Sequence, residues 1–154
     1  MLDPRSRHPK LTRALDRLHQ ADLVSACANA APRALRKAVE EFNEGQFFEQ
    51  HETLELLWRA TPDDIRHLYE GILQIGVGMH HLFANRNFHG AAVKLDHGIR
   101  LLEAFPAVCH GLDVARLLRD ARTARARLVE LGPGRLAEFP RSAAPRVHFV
   151  DGAG

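Results

Sequence analysis

Apolar residues recur every three to four positions along most of this chain, which is the spacing of helices that bury one face. The two-residue alternation typical of strands is weak and confined to residues 147–150. The pattern predicts six helices, over residues 11–25, 32–42, 47–60, 63–83, 88–105 and 113–131. Gly45 is the expected left-handed residue after the second helix, and Asp113 is the expected cap of the sixth.

The fourth of these helices is apolar around most of its circumference, so we expect it at the centre of the fold. The sequence therefore predicts an all-α fold in which two helical hairpins pack as a four-helix core with flanking N- and C-terminal helices. Residues 1–134 are expected to form a single helical domain. Residues 135–154, rich in Pro, Ala and Arg, are expected to form an extended C-terminal tail over that domain.

The two hairpins share a pattern that indicates an internal repeat. Phe42 and Phe47 flank the first polar turn, and Phe83 and Phe88 flank the second, 41 positions later. Each unit reads as helix, tight turn, helix, with one aromatic residue on either side of the turn. We therefore hypothesise that the second hairpin is a duplicate of the first.

Composition narrows the class of protein without naming a substrate. Of 154 residues, 45% are hydrophobic and 26% are charged. The hydrophobic fraction is large enough to form one core. The formal net charge is only +2, and no apolar run approaches the roughly 20 residues of a membrane span, so we expect no membrane partner. Cys27 and Cys109 lie in no Cys-x-x-Cys pair, so we expect two small buried side chains in a reducing compartment, and a cytoplasmic protein.

The sixth helix carries a fan of arginines on the face opposite its apolar residues. They are Arg116, Arg119, Arg122, Arg125 and Arg127. No aromatic residues are interleaved with them, as they would be in a nucleic-acid interface. We expect a solvated helix face and no nucleic-acid partner.

The candidate chemistry lies on the third helix and on the central one. On an ideal helix His51 falls inside the apolar stripe with Leu54 and Trp58, and Glu55 lies one turn further along. On the central helix the same projection places His80 on the inner edge, within about 6 Å of His51 or Glu55, the distance over which charges perturb each other's pKa. It places His81 beside Glu70 and Gln74 instead.

Two functions fit this constellation, and the sequence leaves both open. The first is a non-catalytic binding or interaction module, for a small molecule or a protein, with a polar pocket between helices formed by His51, Glu52, Glu55, Trp58, Gln74 and His81. The second is a metal-dependent or acid–base hydrolase that uses His51, Glu55 and either His80 or His81. Imidazole and carboxylate ligands from His51, Glu55 and His80 would suit zinc, manganese or iron. Homo-oligomerisation is also left open.

The motif around His51 resembles a known family. Phe47-Phe48-Glu49-x-His51-Glu52-x-Leu54-Glu55-x-Leu57-Trp58, followed by Gly71-Ile72-Leu73-Gln74 and His80-His81-Leu82, is similar to the small helical domain of unknown function number 309. The resemblance covers about residues 33–105 and implies an all-helical fold with no established activity. In that family a Gly-Asn pair forms the second turn, whereas this chain has Arg86-Asn87, so Arg86 is expected to adopt a positive φ.

Overall fold

The computed structural model describes residues 20–150 and confirms the all-α fold. The helices are α1 (Gln20–Cys27), α2 (Arg33–Asn43), α3 (Phe47–Ala60), α4 (Arg66–Phe83), α5 (Phe88–Leu102) and α6 (Val114–Leu131). Helices α2 to α6 agree with the sequence prediction within about three residues at each end, the usual uncertainty of helix bounds. Most of the helix expected over residues 11–25 lies outside the described residues.

Helix α4 is the centre of the molecule, as its apolar pattern predicts. It packs against α3 on one side and α5 on the other, and α3 packs in turn against α2. Glycines allow α4 and α5 to approach closely, because a Cβ on Gly98 would lie 2.8 Å from the carbonyl oxygen of Gly71. The two hairpins α2–α3 and α4–α5 therefore form one four-helix core.

The two hairpin turns share a left-handed residue at equivalent positions. Gly45 has φ 79° in the first turn, and Arg86 has φ 49° in the second, which confirms both expectations. The Phe47 ring contacts Phe42 in its own hairpin and Phe83 in the other, at centroid distances of 5.4 and 6.3 Å. These aromatic contacts join the hairpins, while the duplication itself stays a hypothesis.

The expectation of two unpaired cysteines is wrong. Cys27, at the end of α1, and Cys109 form a disulfide across 82 positions of the chain. Neither cysteine has a second cysteine nearby in sequence, so the local spacing of cysteines does not indicate the bond. Disulfides persist in oxidising compartments, so the reducing compartment inferred from two free thiols loses its basis.

Cys109 belongs to a small hairpin that the helical pattern did not predict. Strands β1 (Val108–Cys109) and β2 (Leu112–Asp113) are antiparallel, and both turn residues, His110 and Gly111, have positive φ. That combination is a type I′ turn, which matches the twist of a two-stranded hairpin. As expected, the Asp113 side chain then accepts a hydrogen bond from the backbone N–H of Arg116 and caps α6.

The segment after α6 folds back over the helices as far as residue 150. It contains two 3-10 helices, Pro133–Glu138 and Arg141–Ala143. Val147 then exchanges two 2.8 Å hydrogen bonds with the Asn43 side chain, and Phe149 bridges to Leu112. A domain division at residue 134 stays a prediction, and residues 151–154 lie outside the described part of the chain.

Among residues 20–150, no helix combines the length and the apolar character needed to cross a membrane.

Candidate functional site

The buried polar side chain of α3 is Gln50, and the placement of His51 inside the apolar stripe is wrong. Gln50 is fully buried, and its Nε2 donates to the carbonyl oxygens of Phe47 and Leu73 at 3.2 and 3.3 Å. Gly76 on α4 makes the room, since a Cβ there would lie 2.3 Å from Gln50 Nε2. With Gln50 turned inward, the neighbouring His51 is turned outward, and its side chain is 37% exposed.

His51 and Glu55 form a pair on the outer face of α3. His51 Nε2 lies 3.4 Å from Glu55 Oε2, and the Glu55 side chain is 35% exposed. The other carboxylate oxygen of Glu55 accepts a 2.7 Å hydrogen bond from Arg59. Glu49 and Glu52 are exposed beside this pair. The face is therefore acidic, with three carboxylates and one guanidinium.

An exposed aromatic ring completes this surface. Phe48 is 53% exposed, and its ring centroid lies 6.4 Å from that of His51 and 5.9 Å from that of His80 on α4. We call the set the α3 patch; its members are Phe48, Glu49, His51, Glu52 and Glu55 on α3, with His80 beside them. The patch brings together three of the predicted pocket residues, namely His51, Glu52 and Glu55.

The two adjacent histidines of α4 face different neighbours. The projection placed His80 near His51 or Glu55 of α3, and the contact seen is with Phe48, which also lies on α3. His81 lies on the α5 side, where its Nδ1 is 3.4 Å from Asn85 Nδ2. Its expected neighbour Glu70 contacts His67 and His97 instead. Burial, together with the nearby charges of Lys94 and His80, lowers the pKa of His81.

Trp58 and Gln74 are half-buried, and each has a buried polar atom without a hydrogen-bond partner in the structure. These atoms are Trp58 Nε1, a donor, and Gln74 Oε1, an acceptor. Buried polar atoms of native proteins are nearly always paired, with water or a ligand where protein groups are lacking. Both residues therefore stay candidates for contact with a ligand.

The described residues contain no group of three His, Cys, Asp or Glu side chains that could hold a metal ion. Of the predicted ligands His51, Glu55 and His80, the first two are in contact with each other. The Phe48 ring contacts the imidazole rings of both His51 and His80. Two of the three ligands expected for zinc, manganese or iron, His51 and Glu55, therefore lie next to each other.

Sequence reasoning missed a second polar cluster, between α4 and α5. The two carboxylate oxygens of Glu70 lie 3.3 Å from His67 Nδ1 and 3.6 Å from His97 Nε2. His67 and Glu70 are three residues apart on one helix, and this spacing could have indicated the contact between them. His97 is brought to Glu70 only by the packing of α5.

A third cluster holds the small hairpin against the helices. Tyr69 OH lies 3.0 Å from His110 Nε2, and His110 Nδ1 lies 2.8 Å from the carbonyl oxygen of Asn29. Since a carbonyl only accepts, Nδ1 carries the proton and Tyr69 donates to Nε2. Burial raises the pKa of Tyr69 to about 12. Both side chains are buried, so this cluster is a structural tether.

The arginines of α6 are more heavily paired than their sequence suggests. Arg122 donates to Glu103 at 2.8 Å, and both Nε and Nη2 of Arg125 donate to Asp96. Arg122 nevertheless stays exposed. We call the exposed Arg116, Arg119 and Arg127 the basic α6 face; Arg119 Nε lies 3.6 Å from Asp120 Oδ1.

Residues 35–93 match the family model described as Domain of unknown function (DUF309), which confirms the resemblance carried by the motif. The matched segment contains α3 and α4 and with them the α3 patch. No curated protein sequence matches the chain.

Proposed function

We propose that this protein is a non-catalytic interaction module that binds an arginine-containing, positively charged segment of a protein through the α3 patch. The observation that carries the proposal is the exposed ring of Phe48 on the same helix face as the carboxylates of Glu52 and Glu55. Large aromatic side chains are enriched at protein interfaces and supply much of their binding energy.

The chemistry of the α3 patch favours a guanidinium group as the ligand. A guanidinium stacks on an aromatic face through cation–π attraction, and its fork of donors matches a carboxylate. The patch offers both partners, Phe48 and Glu52, and Glu55 already accepts one hydrogen bond from the guanidinium of Arg59. The whole chain has a net charge of +2, so the acidic character is local to this face.

The alternative, an acid–base hydrolase, has one supporting observation, the contact between His51 and Glu55. A carboxylate that orients an imidazole is the usual arrangement of a general base. Glu55 is shared with Arg59, however, and both side chains of the pair are more than a third exposed, whereas general bases usually work in sites that exclude water. Hydrolysis of an activated ester that is lost in His51→Ala and kept in His89→Ala would favour this alternative.

Fluorescence anisotropy with a labelled hexa-arginine peptide tests the interaction module. Phe48→Ala is expected to weaken binding about two- to fivefold, since an exposed cation–π contact is worth roughly 0.5–1 kcal/mol. Glu52→Gln is expected to weaken it by up to about fivefold, since an exposed ion pair is worth at most about 1 kcal/mol. The matched controls are Val24→Ala, an exposed apolar residue of α1, and Glu40→Gln, an exposed carboxylate of α2. Equal affinity of Phe48→Ala and wild type, or no saturable binding, would overturn the proposal.

A further inference from the structure

We propose that the positively charged segment bound by the α3 patch is the basic α6 face of a second copy of this chain. This inference rests on the proposed function and names its partner. It makes the domain self-associating through two different surfaces of each copy.

The first argument is the match of charge between the two faces. The α3 patch presents the carboxylates of Glu49, Glu52 and Glu55. The basic α6 face presents the guanidinium groups of Arg116, Arg119 and Arg127. These outnumber the two carboxylates on that side of α6, Asp120, which lies 3.6 Å from Arg119, and Glu130. Helix α6 packs on α5, β1 and the first 3-10 helix, and α3 packs on α2 and α4, so each helix keeps its charged side outward. Complementary potentials of this kind steer two proteins together and fix their orientation.

The second argument is the match of length. The α3 face from Phe48 to Arg59 and the α6 face from Arg116 to Arg127 each span about 16 Å at 1.5 Å per residue. An exposed apolar side chain accompanies the α3 face, where Phe48 is 53% exposed. Pairing of the two helices would bury this ring while bringing opposite charges together.

The same charges exclude contacts between identical helices. Placing α3 against α3 or α6 against α6 would juxtapose like charges. The contact therefore pairs α3 of one copy with α6 of the other, either once or twice about a two-fold axis. Because one helix face is smaller than the roughly 800 Å² per partner of a standard interface, the association is expected to be weak and sensitive to salt.

Sedimentation velocity with complementary charge reversals tests the inference. The first variant reverses the α3 patch (Glu49→Arg with Glu52→Arg), and the second reverses the basic α6 face (Arg119→Glu with Arg127→Glu). Wild type is expected to show a mean mass that rises with concentration at about 50 mM salt and falls back to the monomer at about 500 mM. Each variant alone should lose association, and an equimolar mixture should regain it, because the reversed α3 patch then meets the reversed α6 face. The controls are Glu40→Arg with Glu44→Arg, and Arg33→Glu with Lys37→Glu, which make the same charge changes on or beside α2 and should leave association unchanged.

The outcomes separate this inference from the proposed function. A protein that stays monomeric at every concentration, yet binds hexa-arginine in a Phe48-dependent way, overturns the second-copy partner and leaves the interaction module standing. Self-association that survives both reversals, or that the mixture fails to regain, also overturns it. Regained association in the mixture, without hexa-arginine binding to wild type, supports contact between copies and counts against a general arginine-binding module.

Discussion

Breaking the disulfide between Cys27 and Cys109 is expected to lower the free energy of unfolding substantially while leaving the native fold in place. The bond closes a loop of 82 positions, and it ties α1 to the β1–β2 hairpin. Two hydrogen bonds hold the same regions together without it, from His110 N–H to the Cys27 carbonyl and from the His110 ring to the Asn29 carbonyl, each 2.8 Å long. We therefore expect the effect of the bond to lie mainly in the unfolded chain.

The magnitude follows from the length of the loop. In the chain-entropy model a loop of this size removes about 15 cal/mol/K from the unfolded state, or about 4.5 kcal/mol near room temperature. Domains of this kind have total unfolding free energies of about 5–15 kcal/mol. Loss of the bond would therefore remove about 30% or more of the stability. With a denaturant slope of about 2 kcal/mol/M, the urea midpoint should fall by about 2 M.

Urea unfolding followed by circular dichroism measures this loss. Wild type should lose stability on addition of a phosphine reductant, while Cys27→Ala with Cys109→Ala should already show the low midpoint and be insensitive to the reductant. Titration of thiols in the native, unreduced protein gives an independent check. Two free thiols in that protein, or a midpoint unchanged by the reductant, would refute the reasoning.

Three further predictions address the turns, the α3–α4 contact and one titration. Gly45→Val should cost more than about 1 kcal/mol because of its positive φ, whereas Arg86→Gly should raise the thermal midpoint slightly, and the opposite signs would contradict the left-handed turns. Gly76→Ala should lower the melting temperature, since its Cβ would clash with Gln50, and adding Gln50→Ala should recover part of the loss; additive effects of the two changes would rule out the clash. Because the unfolded state releases the Tyr69 proton near pH 10 and the folded state retains it to about pH 12, stability should decline as pH rises above about 10; Tyr69→Phe should flatten that decline in a pH series of chemical denaturation curves.

The elements of the fold could be predicted from the sequence because their signals are local. The period of apolar residues and the helix-terminating Thr61-Pro62 pair predict α3 at 47–60, which is where the structure has it. The left-handed Gly45 and the cap at Asp113 likewise follow from a few neighbouring positions, whereas the positive φ of Arg86 was expected from the family resemblance. Hydrogen bonds within a turn or helix reach no more than about four residues, so a short window of sequence contains them.

The orientation of the candidate site could not be predicted, because it depends on pairs of elements. The rotation of α3 that exposes His51 and buries Gln50 is set by the missing side chain of Gly76, 26 positions away. The same holds for the disulfide of Cys109 and for the contact between Glu70 and His97. A helix projection assumes that the centre of the apolar stripe faces the core, and here a buried amide displaced that centre.

Backbone amide NMR of the labelled protein, titrated with unlabelled hexa-arginine peptide, tests the central claim most directly. Binding at the α3 patch predicts saturable shifts for amides from Phe48 to Arg59, with those of α1 and of the segment around Val147 unchanged. Shifts spread evenly over the surface, or confined to the Glu70 cluster between α4 and α5, would contradict the claim that the α3 patch is the binding site.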